Sequence, residues 1–299
     1  MESPVTETTD FAKGIALGLI TVLIWGAWPV VTRLGVSSSF SPEDITIIRF
    51  AVSGLVLSPF FLRLCRSRVN PKALLIMAFC AGAPYVLVTS YGFTYAPASH
   101  GGIIIPSTML IFTMIGSWLL FKDRPDRLRG LGYLITISGI CAVGGKSLTV
   151  SSLDVLIGDV LFVLGGILWG SYTLANRYFG INAFDSSVAV CVISFIVYGP
   201  IYFITAPGDL ADAPIFDIAL QAIYQGLAIA IMGMVCFTRT VELLGASRGS
   251  LFAALVPAST MILAFPVLNE VPTRTEVAGL ALVSTGMLLA LGIFTRKKM

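Results

Sequence analysis

The chain has 299 residues, 56% of them hydrophobic and 12% charged, with a formal net charge of +3. A soluble domain covers itself with about 25% charged residues. This composition, with a mean hydropathy of +0.91, excludes one and reads as an integral membrane protein.

Met1 to Ala12 are polar, carry Glu2, Glu7 and Asp10, and lack the basic start of a cleaved signal peptide. The first apolar segment is therefore expected to be retained. A bilayer core of about 30 Å needs about 20 apolar residues in a helix. Runs of that kind extend from Lys13 to Thr32, Asp44 to Leu62, Lys72 to Tyr95, His100 to Phe121 and Leu128 to Gly145. Five more extend from Asp154 to Asn176, Asp185 to Thr205, Pro214 to Thr240, Arg248 to Leu268 and Thr275 to Thr295. Lipid leaves no partner for a free backbone group, so each is expected as a helix. The alternation of a membrane barrel is absent. The expected fold is all-α, with ten transmembrane helices.

Ten crossings return the chain to the side it started from. Basic residues gather there, among them Arg63, Arg66, Arg68, Lys72, Lys122, Arg124, Arg127, Arg129, Arg239 and Arg296 to Lys298. The other side has Arg33, Lys146 and Arg274, amid Glu43, Asp44, Asp154, Asp209, Asp212, Asp217, Glu270 and Glu276. The positive-inside rule then puts both termini in the cytoplasm of a multi-pass inner (plasma) membrane protein.

Short motifs occur twice in the same order. Trp25-Gly26-x-Trp28 with Arg33 matches Trp169-Gly170-x-Tyr172 with Arg177 at one constant offset. Asp44, Ser53 and Pro59 match Asp185, Ser194 and Pro200. Ala98-Ser99-His100-Gly101 matches Ala246-Ser247-Arg248-Gly249. Asp123-x-Pro125-x-Arg127 matches Glu270-x-Pro272-x-Arg274, and Gly132 and Gly139 match Gly279 and Gly286. The chain is thus expected as two five-helix repeats, 1–149 and 150–299. Five crossings are an odd number, so the second repeat starts on the opposite side and is inverted. Such repeats are a transporter architecture.

These motifs in this order resemble the drug/metabolite transporter superfamily, EamA type, and its bacterial exporters of amino acids, aromatic ones included. The resemblance covers nearly the whole chain. It implies a carrier for small organic metabolites, export as its direction, and a cavity lined by the first, third and fourth helices of each repeat. One departure is that Pro106 and Pro257 stand about three residues out of register between the repeats.

No catalytic constellation is present: with one histidine and no carboxylate at mid-segment, an enzyme is not expected. Asp159 and Glu242 lie near segment ends, within reach of water. No nucleotide motif is present, no cofactor or metal is implied, and nucleic acid is not an expected partner. The expected partners are a small-molecule substrate and the lipid bilayer. The cysteines (Cys65, Cys80, Cys141, Cys191, Cys236) are scattered and read as small buried hydrophobes.

Candidate substrate-binding residues follow from depth and polarity. Trp25 and Trp169 lie roughly 18–23 Å along their helices at 1.5 Å per residue, too deep for an interfacial belt. With Trp28 and Tyr172 they form either an aromatic wall or ordinary packing. Tyr85, Thr89 and His100 are candidate polar anchors, as is Tyr224 in the eighth segment. Arg49, inside the second segment, either reaches the headgroups beside Glu43 or Asp44, or receives a substrate carboxylate. Pro29, Pro84, Pro106 and Pro257 are candidate hinges, because each removes a helix hydrogen bond. Gly132, Gly139, Gly279 and Gly286 suit close helix packing, either within a monomer or across a homodimer. Besides the alternating-access carrier, a facilitated-diffusion pore and a non-transporting receptor fit these residues.

Overall fold

A computed structural model describes residues 4–66, 69–149, 153–205, 210 and 212–291. Arg68, Asp209 and Arg296 to Lys298 lie outside the described residues, as do the repeat boundary at 150 and the side chain of Lys146. The described chain forms ten helical rods: α1 (Pro4–Ser38), α2 (Pro42–Arg66), α3 (Pro71–Tyr95), α4 (Ala98–Phe121), α5 (Arg127–Thr149), α6 (Leu153–Phe179), α7 (Ala183–Thr205), α8 (Ile215–Leu244), α9 (Ala246–Leu268) and α10 (Arg274–Ala290). Each coincides with an expected segment. α1 runs six residues beyond Thr32, because Pro29 sits inside it without ending it. Eight rods are long and apolar enough to cross a membrane by themselves; α5 and α10 fall outside that group. Leu23, Leu55, Phe79, Leu119, Ile196 and Phe203 are exposed on the helix faces. Lipid covers such side chains at no cost, so burial is not needed to keep them out of water. Cys65 and Cys141 follow the same logic: they are exposed, against the expectation of burial, whereas Cys80 and Cys191 are buried.

The packing repeats when each helix is exchanged for its counterpart five places on. α1 lies beside α9 in parallel, with Gly18 against Phe252 and Gly26 against Ser259. Its mirror contact joins α6 to α4, also in parallel, with Gly166 against Thr108 and Gly170 against Phe112. α5 runs antiparallel to α10: the backbone of Ala290 and Gly286 faces Gly132, and that of Gly279 faces Gly139. α2 and α7 are antiparallel too, with Gly54 against Cys191 and Asp44 holding the Tyr202 hydroxyl. Counterpart helices that run against each other make the repeats inverted. The small-residue faces of α5 and α10 are used within the monomer, where a Cβ at either Gly132 or Gly139 would meet backbone.

The turns repeat as well. α4 ends at Lys122 (φ 60°) and α9 at Asn269 (φ 55°), the two non-glycine residues with left-handed backbone among those described. Each directly precedes the acidic residue of its duplicated turn, Asp123 or Glu270. Thr273 and Glu276 then close a reciprocal cap on α10.

The third helix of each repeat is irregular. α3 breaks at Gly82, where the Ser194 hydroxyl of α7 accepts from the Ala83 amide at 3.2 Å. Pro84 has no amide to lose there, because it stands in the first turn after the break. α8 instead widens into a π-helix over Ala222–Gly233, a local winding that often marks a functional site.

Candidate functional site

A cavity of about 340 Å³ opens between the repeats. Trp25, Trp28 and Pro29 of α1 line it, with Tyr85 of α3, Pro106 of α4, and Trp169 and Tyr172 of α6. Glycine explains why these side chains reach it. Gly26 and Gly170, each next to a tryptophan, let a neighbouring helix cross so closely that a Cβ would touch it. The tryptophans are thereby left on the inner face.

The rings form one wall. Trp28 stacks on Tyr85 (centroids 5.7 Å apart, planes 18° apart), Tyr85 meets Trp169 at 4.8 Å, and Trp169 meets Tyr172 at 5.5 Å. Tyr85 therefore bridges the two copies of the aromatic motif. Trp25 stands apart, 4.9 Å from Phe237, and packs over Gly233. The wall is tied down by polar contacts behind it. Trp28 Nε1 donates to Gln225 Oε1 at 3.2 Å, Gln225 Nε2 donates to Thr32 at 3.0 Å, and the Tyr172 and Ser186 hydroxyls are 2.8 Å apart.

Three candidates do not reach this wall. Thr89 is buried behind it, donating to the Tyr85 carbonyl at 2.8 Å. Tyr224 donates its hydroxyl to the Ile24 carbonyl, which braces α8 against α1. His100 lies at the end of the bundle opposite the chain termini, with Nδ1 2.7 Å from Asp159 Oδ1 and Nε2 3.1 Å from Glu276 Oε1. Asp159 and Glu276 are only 5% and 7% exposed. The expectation that Asp159 reaches water is thus corrected, because His100 of α4 binds it and α5 passes beside it at Gly144. Glu242 is exposed and pairs with Arg239 at 2.8 Å. Of the hinge candidates, Pro29 and Pro106 line the cavity, Pro84 marks the break in α3, and Pro257 follows the cavity residue Val256.

Arg49 also differs from the expectation of headgroup contact. It is buried and lines the cavity, while Asp44 binds Ser41 and Tyr202, and Glu43 takes the Tyr91 hydroxyl. The cavity wall extends towards the terminal face, through Ala183, Ser187, Thr238 and Ala253. At the other end lie the His100 cluster and Arg33, which is 3.6 Å from Glu270 and donates to the Phe93 carbonyl. Glu270 also accepts from the Ala98 amide at 3.0 Å. Burial pushes the Glu270 carboxyl above its ordinary pKa, against the opposing effects of the Ala98 amide and Arg33.

Known proteins share this architecture. Over 96% of this chain and 99% of its own, a solved crystal structure superposes with a TM-score of 0.60 at 16% identity, a likeness of fold. The uncharacterised transporter YyaM of Bacillus subtilis is 24% identical over 85% of this chain and 86% of its own length. A probable terminal-alkyne amino-acid exporter of Streptantibioticus cattleyicolor is 24% identical over 93% of each. The model of the EamA-like transporter family matches twice, over 12–145 and 156–292, once for each half of the inverted bundle. With most of its length matched in two copies, this chain belongs to the EamA-like transporter family and is a multi-pass membrane transporter, not an enzyme.

Proposed function

We propose that this transporter is an alternating-access carrier for amino acids with apolar or aromatic side chains, working as an exporter with both termini in the cytoplasm. The observation that carries the reading is the wall of Trp28, Tyr85, Trp169 and Tyr172, built from both repeats around one cavity. Its volume lies in the range of small-molecule sites, which are mostly apolar with a few polar groups. Sites of this kind sit at the interface of inverted repeats near mid-membrane. The name of the Streptantibioticus relative supports amino acids as the cargo class. Trp25 shares the cavity as a secondary contact, and Thr89 and Tyr224 hold the wall rather than the substrate. Bending at Pro29, Pro84, Pro106 and Pro257 would exchange access between the two faces. Residues of a single chain line the cavity, so no second copy is needed to form it.

Counterflow in proteoliposomes tests this. Vesicles preloaded with unlabelled phenylalanine, tryptophan or threonine are offered the labelled amino acid, with wild type and Trp169→Ala compared. Saturable counterflow that falls at least tenfold in the variant is expected. Flux without saturation or counterflow would replace the carrier by a pore, and no flux with any amino acid would overturn the cargo class.

A further inference from the structure

Arg49 is only 6% exposed, yet its Nε and Nη1 atoms have no hydrogen-bond partner among the described residues. Its guanidinium borders the aromatic cavity. The neighbouring contact is the Phe50 ring, 5.8 Å from Cζ. The two acids closest in sequence are occupied elsewhere. Asp44 accepts from the Ser41 amide and hydroxyl at 2.9 Å each and from Tyr202, while Glu43 accepts from Tyr91. No Asp, Glu, Lys or His is among the described residues lining the cavity. The wall therefore carries one formal charge, and it is positive.

A buried cation without a counter-charge is costly. Inside a membrane such groups face a cavity or await a partner. The planar guanidinium fork matches a carboxylate with two parallel hydrogen bonds. We infer that Arg49 is the anion-binding group of the cavity, taking the carboxylate of a substrate whose apolar body lies against Trp28, Tyr85 and Trp169. It follows that the carboxylate is the obligatory charged group. An amino acid's ammonium is tolerated over the aromatic faces but is not required, because no acid is placed to receive it. This deepens the carrier reading and rests on it for the location of the cargo.

The test is direct binding to purified full-length protein in detergent, followed by calorimetry and thermal shift. The probes are L-phenylalanine, 3-phenylpropionate, which lacks the amine, and phenethylamine, which lacks the carboxylate. Wild type is expected to bind both carboxylates within about tenfold of each other and the amine at least tenfold more weakly. Arg49→Gln is expected to lose at least tenfold towards both carboxylates and nothing towards the amine. Arg49→Lys, which keeps the charge but not the fork, falls between them; it also serves if the glutamine variant does not fold. Preference for the amine, or carboxylate selectivity that survives Arg49→Gln, would overturn the inference. If wild type binds none of the three, acetate, benzoate and indole-3-acetate are tried; failure of all three to stabilise wild type above Arg49→Gln also overturns it. Carboxylate binding that depends on Arg49, without counterflow, supports the anion site and removes the carrier reading alone.

Discussion

Arg33 and Glu270 belong to opposite repeats and meet 3.6 Å apart at the end of the cavity remote from the termini. Their counterparts Arg177 and Asp123 make the inverse cross-pair at 2.8 Å. The duplicated motifs thus reach across to each other, one pair for each face. The pairs are not equal. The Arg33 and Glu270 side chains are 25% and 20% exposed, whereas those of Arg177 and Asp123 are 50% and 62% exposed. Exposed pairs are worth about 0–1 kcal/mol, so closure depends more on the first.

Removing the cation of the less exposed pair should therefore open the remote face. In a cysteine-free background with Cys introduced at Ser99, Arg33→Gln, which leaves the Glu270 carboxylate without its cation, is expected to raise labelling by a membrane-impermeant thiol reagent several-fold. Asp123→Asn should leave that labelling within twofold. Equal effects of the two variants would remove the asymmetry between the gates.

The same carboxyl gives a pH dependence with a defined sign. Burial raises the Glu270 pKa in the closed arrangement, so the closed form binds a proton more tightly than a form in which water reaches Glu270. By linkage, acidification into the range just above the ordinary carboxylate pKa favours closure, and raising pH through the shifted pKa favours opening. Labelling at position 99 should thus fall on acidification in the wild-type background. In Glu270→Gln that component should be absent. Labelling that rises on acidification would reverse the assignment.

The contact between α5 and α10 should not tolerate a side chain at Gly139. A Cβ there would approach the Gly279 carbonyl at 2.9 Å and Val283 at 2.7 Å. Because backbone is in the way, Gly139→Ala is expected to cost about 1–3 kcal/mol. At Gly130, in the same helix, nothing lies within 4 Å, so Gly130→Ala should be neutral or stabilise by about 1 kcal/mol. Unfolding in mixed micelles would compare the two directly.

His100 joins α4 to α6 and α10 through two buried carboxylates. Replacing it with leucine leaves both without that partner, which typically costs about 3–5 kcal/mol. A second change, Glu276→Gln, is expected to recover part of the loss by removing one charge. The same unfolding assay measures it, and a His100→Leu protein as stable as wild type would contradict the structural role.

The errors in reading single residues from sequence have a common cause. Nearness in the chain suggests Glu43 or Asp44 beside Arg49 and leaves a substrate carboxylate as the alternative. Helical neighbours that share a face are three or four residues apart, and these acids are five and six away. They turn towards Tyr202 and Tyr91 while Arg49 faces the cavity. Closeness to a helix end suggests that Asp159 is wet, but depth along one helix says nothing about what a second helix lays over it. The place of Trp28, Trp169 and Tyr172 on the cavity is legible because a duplicated pattern marks one helix face in both repeats, whereas Tyr85 has no such copy and enters only as a candidate polar anchor.

The sequence by itself determined the membrane class, the ten helices and their duplication. Apolar length and repeated motifs are local properties, and lipid leaves the backbone little choice but helix. The parity of five crossings already implied inversion. Only the tertiary structure decided which residues meet: Tyr85 between the two aromatic copies, Arg33 with Glu270, His100 between Asp159 and Glu276, and α5 on α10 within one monomer. Those contacts depend on how helices rotate and cross, and small residues such as Gly26, Gly139 and Gly170 set that by close approach rather than by any signal in their immediate neighbours.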